Sequence, residues 1–161
     1  NISNKNNKVQ ITHLGDHFGN GDVIFTDCKL LDEKNIDRRS FNTGQKIKLQ
    51  VDYLCQVNPS NLQVNIGFEI ASTNGTYIYG TNTSREGKKN LKLNKKGTIE
   101  IELDNLNLLP GDYSIGIADL EEKATYDYYK NITEFKMYSN IHDIGLVRLE
   151  HKFIVDDEKI K

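Results

Sequence analysis

The sequence predicts an all-β protein in which two antiparallel sheets pack face to face, with about seven or eight strands in total. Three observations lead to this prediction. In several segments apolar residues alternate with polar ones, which is the period of a strand that buries one face. Turn sequences rich in Gly, Asn and Pro separate those segments. No segment repeats its apolar residues every 3.6 positions, so no amphipathic helix is predicted.

Length and composition are typical of one domain. The chain has 161 residues, and a domain near that size buries about 70% of the surface that its unfolded chain exposes. Lys and Arg number 21 against 23 Asp and Glu, and the net charge of -2 argues against a nucleic-acid binder that depends on phosphate contacts. No apolar run approaches the roughly 20 residues of a membrane helix, so no direct membrane insertion is predicted.

The first half of the chain contains four predicted strands. Apolar residues indicate the first over about 23–31, and strict alternation indicates the second over 45–57 and the third over 62–72. Thr73-Asn74-Gly75 then predicts a hairpin turn, because the Asn-Gly pair supplies the positive φ angles that such turns require. A short return strand follows over 77–81. Inward side chains are expected at Ile47, Leu49, Val51, Tyr53, Cys55, Val57, Val64, Ile66, Phe68 and Ile70.

Four further strands are predicted in the second half, over 98–103, 113–118, about 134–138 and about 146–155. A Leu-Leu-Pro-Gly turn leads straight into the second of these. Tyr113, at the start of that strand, resembles the tyrosine corner of immunoglobulin-like sandwiches. We therefore expect an immunoglobulin-like antiparallel sandwich in which Tyr113 serves the fold rather than a ligand.

The two ends of the chain are polar. Residues 1–17 are predicted to be a linker remnant with an irregular start, 18–155 the sandwich domain and 156–161 a charged tail. Cys28 and Cys55 form no CxxC pair and have no metal-ligand spacing. We expect both to be free, buried thiols of a protein in a reducing compartment.

The chain contains no familiar catalytic motif. There is no P-loop, no nucleophile elbow and no zinc-protease helix, and residues 80–89 only approximate the first of these. His13 and His17 are four apart, but Gly15 and Gly19 argue against the helix that would place both on one face. We therefore predict a domain that is not an enzyme and that holds no metal or cofactor.

Small residues mark the outward face of two predicted strands, which would be neighbours in an immunoglobulin-like order. If the apolar residues of 62–72 and 113–118 point inward, the outer face that the two strands share forms a shallow trough. Its floor consists of Gly67, Ser114, Gly116 and Ala118. Polar Asn65 and Glu69 flank the floor. Glycine within a strand often marks a place that another group approaches closely.

Tyrosines are predicted to form the walls of this trough. Tyr77 and Tyr79 are expected on one face of the return strand, and Tyr126, Tyr128 and Tyr129 follow later in the chain. Tyrosine rings pack against the apolar face of a pyranose, while amides and carboxylates pair with its hydroxyls, so the trough suits a sugar. Alternatively, the small residues allow a loop or a partner subunit to cover this sheet. The pattern alone leaves both open.

A series of short motifs resembles the Wzt C-terminal domain family over about residues 18–155. The motifs are Gly19-Asn20-Gly21-Asp22-Val23, Leu30-Leu31-Asp32, Tyr79-Gly80-Thr81-Asn82-Thr83, Leu108-Leu109-Pro110-Gly111-x-Tyr113, Tyr126-Asp127 and Gly145-x-Val147-x-Leu149-x-His151-x-Phe153. Many relatives carry Trp where this chain has Phe153, and the chain has no Trp at all. Tyrosines would therefore have to take over any stacking on sugar.

The resemblance implies a carbohydrate-binding domain appended to the ATPase subunit of an ABC transporter that exports O-antigen polysaccharide. Such a domain recognises the finished glycan, or its capped terminus, on the cytoplasmic side of the membrane. The resemblance also implies a homodimer that exchanges its final strand, here about 146–155, and a membrane permease subunit as a further partner. No ATP chemistry is attributed to this sequence, because it contains no ATPase motif.

The expected function is therefore recognition of a cell-surface polysaccharide at the inner face of the cell membrane, without catalysis. The expected carbohydrate-binding residues are Asn65, Gly67, Glu69, Tyr77, Tyr79, Ser114 and Gly116. One alternative is a structural sandwich that only dimerises or docks a partner protein. Another is a secreted adhesin, which would require a signal sequence upstream.

Overall fold

The computed structural model describes residues 14–160, and strands make up most of that part. One short 3-10 turn lies at Pro59–Asn61. The ten strands are β1 (Val23–Leu31), β2 (Ser40–Asn42), β3 (Ile47–Cys55), β4 (Asn65–Ser72), β5 (Tyr77–Asn82), β6 (Lys96–Leu103), β7 (Gly111–Leu120), β8 (Thr125–Tyr138), β9 (Ile154–Val155) and β10 (Glu158–Lys159). Within 14–160, no helix is long and apolar enough to span a membrane.

Two sheets contain eight of the strands. The larger sheet has the order β2–β8–β7–β4–β5, with β2 parallel to β8 and all other neighbours antiparallel. The smaller sheet has the order β1–β3–β6 and is antiparallel throughout. The remaining strands, β9 and β10, form a hairpin of their own.

The hydrophobic core lies between the larger and the smaller sheet. On β3 every second residue is buried, as the alternation predicts: Ile47, Leu49, Val51, Tyr53 and Cys55. From the larger sheet, Ile115, Ile117 and Tyr129 are each no more than 1% exposed. This arrangement confirms the predicted all-β sandwich. Val57 and Phe68, which are also expected inward, pack against the core but are only partly buried.

Tyr113 forms the predicted tyrosine corner. Its side chain is 2% exposed, and its hydroxyl donates a hydrogen bond to the backbone oxygen of Leu109, four residues upstream, at 2.5 Å. Burial raises the pKa of this hydroxyl above its ordinary value, so it remains a donor at neutral pH. The contact fixes the turn before β7 and confirms that Tyr113 serves the fold.

The β4–β5 turn differs in detail from the prediction. Of the Asn74-Gly75 pair, only Gly75 has a positive φ, at +91°. Three residues separate Ser72 from Thr76, and the Ser72 N–H donates to the Thr76 oxygen at 2.9 Å. In a loop of that length a single left-handed glycine closes the hairpin, so Asn74 serves as a hydrogen-bond acceptor for the Thr76 N–H, at 3.2 Å.

Two strands are longer or shorter than the pattern predicts. β8 begins at Thr125 rather than about 134, because an irregularity in its pairing with β7 interrupts the alternation and hides its first half. β2 has three residues and lies parallel to the end of β8. A segment that short carries no periodic signal, and the sequence analysis did not predict it.

The strand predicted over about 146–155 is wrong for this single chain. Only Ile154 and Val155 are in a strand, and they pair with β10 rather than with either large sheet. Further upstream, Val147 makes one bridge with Leu108, and the Leu146 oxygen accepts a hydrogen bond from Leu109 N–H at 2.9 Å. The apolar residues of this segment find no core within the chain and stay exposed.

Both cysteines are free and buried, as predicted. Burial raises the pKa of the Cys28 thiol to about 12. Cys55 points its sulfur at the backbone oxygen of Asn94, 3.3 Å away. Both residues therefore behave as small apolar side chains of the core.

Candidate functional site

The register of β4 and β7 brings the predicted trough residues together. Gly67 lies opposite Ala118, Glu69 opposite Gly116, and Ala71 opposite Ser114. Residues that pair directly across two strands share one face of the sheet. Because Ile70 and Ile115, which pair with each other, are buried in the core, these three pairs lie on the outer face of the larger sheet. We call this outer surface of β4 and β7 the trough.

Gly116 is the narrowest point of the trough floor. A Cβ atom at this position would lie 2.8 Å from the Cγ of Glu69 and 2.9 Å from the backbone oxygen of Lys130. The second contact arises because β8 bulges here: Ile115 pairs with Thr133 and Ile117 with Tyr129. Glycine is therefore required so that the Glu69 side chain can lie across the sheet.

Glu69 is held in that position by Tyr128, which in turn contacts Tyr77. The Tyr128 hydroxyl donates a hydrogen bond to Glu69 Oε1 at 2.6 Å, and the Tyr128 side chain also forms a hydrogen bond with Tyr77. Burial, followed by the contact with Glu69, raises the pKa of Tyr128 well above its ordinary value. The phenol therefore remains protonated, and the three side chains form a polar ridge across the trough.

Two pockets lie on either side of this ridge, and Glu69 lines both. Pocket A has a volume of about 580 Å³ and pocket B one of about 560 Å³. The lining of pocket A includes Phe18, Gly67, Gly80, Asn82, Arg85, Gly116, Ala118 and Tyr128. The lining of pocket B includes Gly15, Asp16, Tyr77, Ser114, Lys130 and Asn131. Each pocket thus combines small floor residues with hydrogen-bonding groups.

The predicted arrangement of Tyr77 and Tyr79 on one face is wrong. A bulge in the pairing of β5 with β4 lies between them, so that Ile70 pairs with Tyr79 and Ala71 pairs with Tyr77. Tyr77 consequently lies on the trough side, whereas Tyr79 shares the opposite side with Ile70. There its ring centre is 5.9 Å from that of Phe68. The sequence offers no sign of such a bulge, which reverses the face of every later residue.

Of the three tyrosines expected later in the chain, only Tyr128 reaches the trough. Tyr129 is fully buried in the core, and Tyr126 is 3% exposed with its hydroxyl 3.1 Å from Glu121 Oε2. Burial raises the pKa of Tyr126 to about 12. Tyr126 and Tyr129 are therefore residues of the fold.

The remaining predicted site residues lie near the trough without all lining a pocket. Ser114 is 9% exposed and lines pocket B. Asn65 begins β4 opposite Leu120, and its side-chain oxygen is buried without a hydrogen-bond partner among the described residues. Asn65 lines neither pocket.

Several pocket residues are absent from the sequence prediction. Phe18, Asn82 and Arg85 line pocket A, and Lys130 and Asn131 line pocket B. Phe18 lies before the first strand, Asn82 is the last residue of β5 and Arg85 follows it in a turn. Lys130 and Asn131 belong to the bulge of β8. Their positions depend on loops and on the bulge, for which periodicity gives no signal.

A pair of buried carboxyl groups lies beneath the trough, on the core side of the same strands. Asp119 pairs with Asp127 across β7 and β8, and both are at most 1% exposed. Asp127 accepts a hydrogen bond from Phe25 N–H at 3.0 Å and lies 2.6 Å from Nδ1 of His17. Neither carboxyl oxygen of Asp119 makes a well-formed hydrogen bond with a described residue.

Burial raises the pKa of both carboxyl groups. Burial is the largest cause that raises the pKa of Asp119, and the charge of Asp127 raises it further. Hydrogen bonds from two backbone N–H groups lower the pKa in part. For Asp127 burial again dominates, and the contact with His17 opposes it. The cluster does not resemble a metal site, since no group of three metal-ligating side chains occurs within 14–160. His13, which the sequence analysis weighs with His17 as a possible ligand and argues against, lies outside the described residues.

Comparison with known proteins identifies one family. The family model described as the Wzt C-terminal domain matches residues 15–149. A solved structure, described as the crystal structure of the C-terminal domain of Wzt, superposes with a TM-score of 0.72 over 87% of each chain, at 19% sequence identity. No curated protein matches the sequence.

Other solved structures are similar only at a low level. An alkylpurine DNA glycosylase, AlkC, from Pseudomonas fluorescens gives a TM-score of 0.45 at 11% identity, covering 73% of this chain and 31% of that one. A β-glucosidase from Listeria innocua in complex with gluconolactone gives 0.39 at 9% identity, covering 76% of this chain and 16% of that one. Scores this low carry no information about function.

Proposed function

Because this chain belongs to the Wzt C-terminal domain family, the carbohydrate-binding domains of O-antigen ABC-exporter ATPases, we propose that it binds a cell-surface polysaccharide. The family's domain is a non-catalytic binding module. The observation that carries the proposal is the trough, in which a ridge of Glu69, Tyr77 and Tyr128 separates two pockets that share a floor of small residues.

The chemistry of the trough fits a chain of sugar residues. Glu69 offers acceptor oxygens to hydroxyl groups, and the side-chain amide of Asn82 supplies both a donor and an acceptor. The rings of Tyr128 and Tyr77 offer apolar surface to the face of a pyranose. Two pockets side by side would accept neighbouring sugars, and the alternative of a single small ligand would leave one of them unused.

Affinity at each site is expected to be weak, because a trough open to water buries little of its ligand. Two sites in a dimer would raise the effective strength without any new contact. Selection would then depend on differential affinity: polysaccharides of the right structure dock and are passed on, and others are not.

We also propose that the domain forms a homodimer through its C-terminal segment, residues 141–155. Most of the strongly exposed apolar side chains of the described chain lie there, among them Ile144 at 99%, Leu149 at 74% and Phe153 at 68%. Exposed apolar residues at this density are typical of an interface. A second copy that accepts this segment as a strand would cover them.

A receptive surface for that strand lies at the open edge between β5 and β6. A groove of about 560 Å³ lies there, lined by the exposed ring of Tyr79 and by half-buried apolar side chains that include Phe68, Leu91, Ile99 and Ile101. Both strands that border it are edges of their sheets. An added strand would form hydrogen bonds with the N–H and C=O groups of an edge strand and would also bury the apolar surface of the groove.

The whole-protein context follows from the family. We propose that the domain works beside the ATPase domain of its parent chain and a membrane permease subunit, at the inner face of the cell membrane. A purely structural role in partner docking predicts a large apolar patch on the trough sheet. The polar ridge of Glu69 and Tyr128 argues for the polysaccharide instead.

An amide chemical-shift titration with delipidated surface polysaccharide from the source organism tests the proposal. We expect shifts confined to the surroundings of Gly67, Glu69, Gly116 and Tyr128. Glu69→Ala should weaken binding by about tenfold or more, since hydrogen bonds to a charged group contribute about 1.5–3 kcal/mol. Glu102→Ala, which removes a carboxylate from the smaller sheet, is the matched control and should bind as the unmodified chain does.

Two other outcomes are informative. Localised shifts on another surface would retain polysaccharide binding and move the site away from the trough. If no amide shifts at millimolar sugar while the fold stays intact, the binding proposal is wrong, and the partner-docking alternative becomes the better account.

A further inference from the structure

The segment before β1 forms part of the trough wall, although it lies far from the trough strands in sequence. Residues 15–21, which we call the strap, run beside the first residues of β8. Phe18 and Tyr128 exchange two backbone hydrogen bonds, at 3.1 and 2.8 Å, and Gly21 N–H donates to the Tyr126 oxygen at 2.8 Å. The strap therefore extends the larger sheet at the edge of β8 that is next to the pockets.

Gly19 makes this close approach possible. A Cβ atom at this position would lie only 2.2 Å from the backbone oxygen of Tyr126, and the residue has a φ of +149°. A side chain here cannot be accommodated unless the strap moves away from β8. The strap is thus fixed in one position by its own backbone.

Neighbouring side chains of the strap point to opposite sides of the sheet. The His17 ring stacks on Tyr129, with ring centres 4.7 Å apart and planes within 6°, and its Nδ1 contacts Asp127. The Phe18 ring lies on the trough side, 62% exposed, with its centre 5.0 Å from that of Tyr128 in an edge-on arrangement. His17 anchors the strap in the core, and Phe18 is left free to meet a ligand.

The strap borders both pockets. Phe18 lines pocket A, and Gly15 and Asp16 line pocket B. Its aromatic ring rests against Tyr128, whose hydroxyl holds Glu69. Removing the strap would therefore take one wall from each pocket. It would also expose one side of the Tyr128 ring, whose hydroxyl orients Glu69.

We propose that Phe18 is a polysaccharide-contacting residue and that docking of the strap is energetically coupled to polysaccharide binding, an inference that rests on the proposed function. Coupling of this kind is reciprocal: a ligand that contacts Phe18 stabilises the docked strap by the same factor by which the docked strap improves affinity. Occupancy of the trough is thereby coupled to the docked position of the strap.

Binding measurements on four forms of the full chain test the contact. With the purified surface polysaccharide as the probe, Phe18→Ala should weaken binding by about tenfold, the range expected for loss of an aromatic partner. Phe18→Tyr keeps the ring and should restore binding. Gly19→Ala keeps Phe18 but displaces the strap, so it should weaken binding as well. Tyr138→Ala removes a ring of similar exposure at the far end of β8 and should leave binding unchanged.

Amide hydrogen exchange tests the coupling separately. Saturating polysaccharide should slow exchange at the hydrogen-bonded amides of Phe18, Asn20 and Gly21 in the unmodified chain. The slowing should be lost in Phe18→Ala. Because Phe18 is largely exposed, that variant is expected to fold, and its thermal unfolding midpoint should match that of the unmodified chain.

The failures of the two proposals are distinguishable. If the unmodified chain binds polysaccharide and Phe18→Ala binds it equally well, the inference about the strap is overturned and the proposed function stands. Unchanged strap exchange on saturation overturns the coupling in the same way. If the unmodified chain binds no polysaccharide, both proposals are overturned.

Discussion

At the scale of single residues, Asp119 is fully buried and makes no well-formed side-chain hydrogen bond with any residue of 14–160. Its folded-state pKa is raised above the ordinary value, so the folded chain favours the protonated acid. A group of this kind stabilises the fold most below its unfolded pKa of about 3.9, and that contribution is lost as the pH rises through the folded pKa. Asp127, whose pKa is also raised, contributes with the same sign.

We therefore expect the free energy of unfolding to fall as the pH rises above about 4. Asp119→Asn, which cannot ionise, should make this fall smaller. Urea unfolding followed by circular dichroism between pH 4.5 and 8 measures the slope. Asp104→Asn, at an 83% exposed side chain, is the control and should keep the original slope. An Asp119→Asn slope equal to that of the unmodified chain would contradict the account.

Gly116 illustrates what a single residue in a sequence can and cannot reveal. A glycine inside a strand correctly predicts that another group comes close to the backbone. The groups that do so are the Glu69 side chain and the Lys130 carbonyl of the same chain rather than a ligand. The identity of the approaching groups depends on the register with β4, three strands earlier in the chain, and on the bulge of β8, the next strand, and neither is encoded in the local pattern.

At the scale of elements, alternation located most of the strands. Every second residue is buried in β3 and half-buried in β6, and apolar side chains alternate with small or polar ones in β4 and β7, although β7 is buried on both faces. The sequence therefore predicts the bounds of these four strands closely. Irregular strand pairing explains the two wrong predictions. It interrupts the alternation in the first half of β8, and it places Tyr79 on the face opposite to the predicted one. A one-residue shift in strand register changes the sequence pattern little, but it moves every later side chain to the other face of the sheet.

The bulge of β5 yields a direct comparison of two tyrosines. Tyr77→Ala should weaken polysaccharide binding by roughly threefold to tenfold, because its ring and hydroxyl belong to the trough ridge. Tyr79→Ala should leave the affinity of each single site within about twofold, since that ring lies on the other side of the sheet beside Phe68. Calorimetric titration of both variants measures the difference. The reverse order of effects would contradict the placement of the bulge.

At the scale of the whole molecule, the C-terminal segment is the part that a single chain leaves unsatisfied. Its alternation, from Val147 through Leu149 to Phe153, predicts a strand, yet within one chain no sheet accepts it. The sequence pattern indicates a surface that is to be buried and does not say what buries it. The proposed homodimer would account for the disagreement between the predicted strand and the fold of the single chain, because a second copy would accept the segment as a strand.

We expect the chain to sediment as a dimer of about 37 kDa, twice its 18.4 kDa, at micromolar concentration. Leu149→Asp combined with Phe153→Asp should shift the equilibrium to monomer, because apolar area that gains about 25 cal/mol per Å² on burial would carry charge instead. Lys152→Asp, in the same segment, should remain dimeric. A monomeric unmodified chain, or a dimeric double variant, would contradict the proposed interface.

The position of β8 in the larger sheet also orders events during synthesis. β1, β3 and β6 are complete once Leu103 has been made, so a nascent chain can assemble the smaller sheet early. The strap and β2, which lie near the N-terminal end of the described chain, both pair with β8 and must wait for its residues to leave the ribosome. The trough therefore acquires its walls last, after about a hundred residues of delay, and an incomplete chain cannot present a finished binding site.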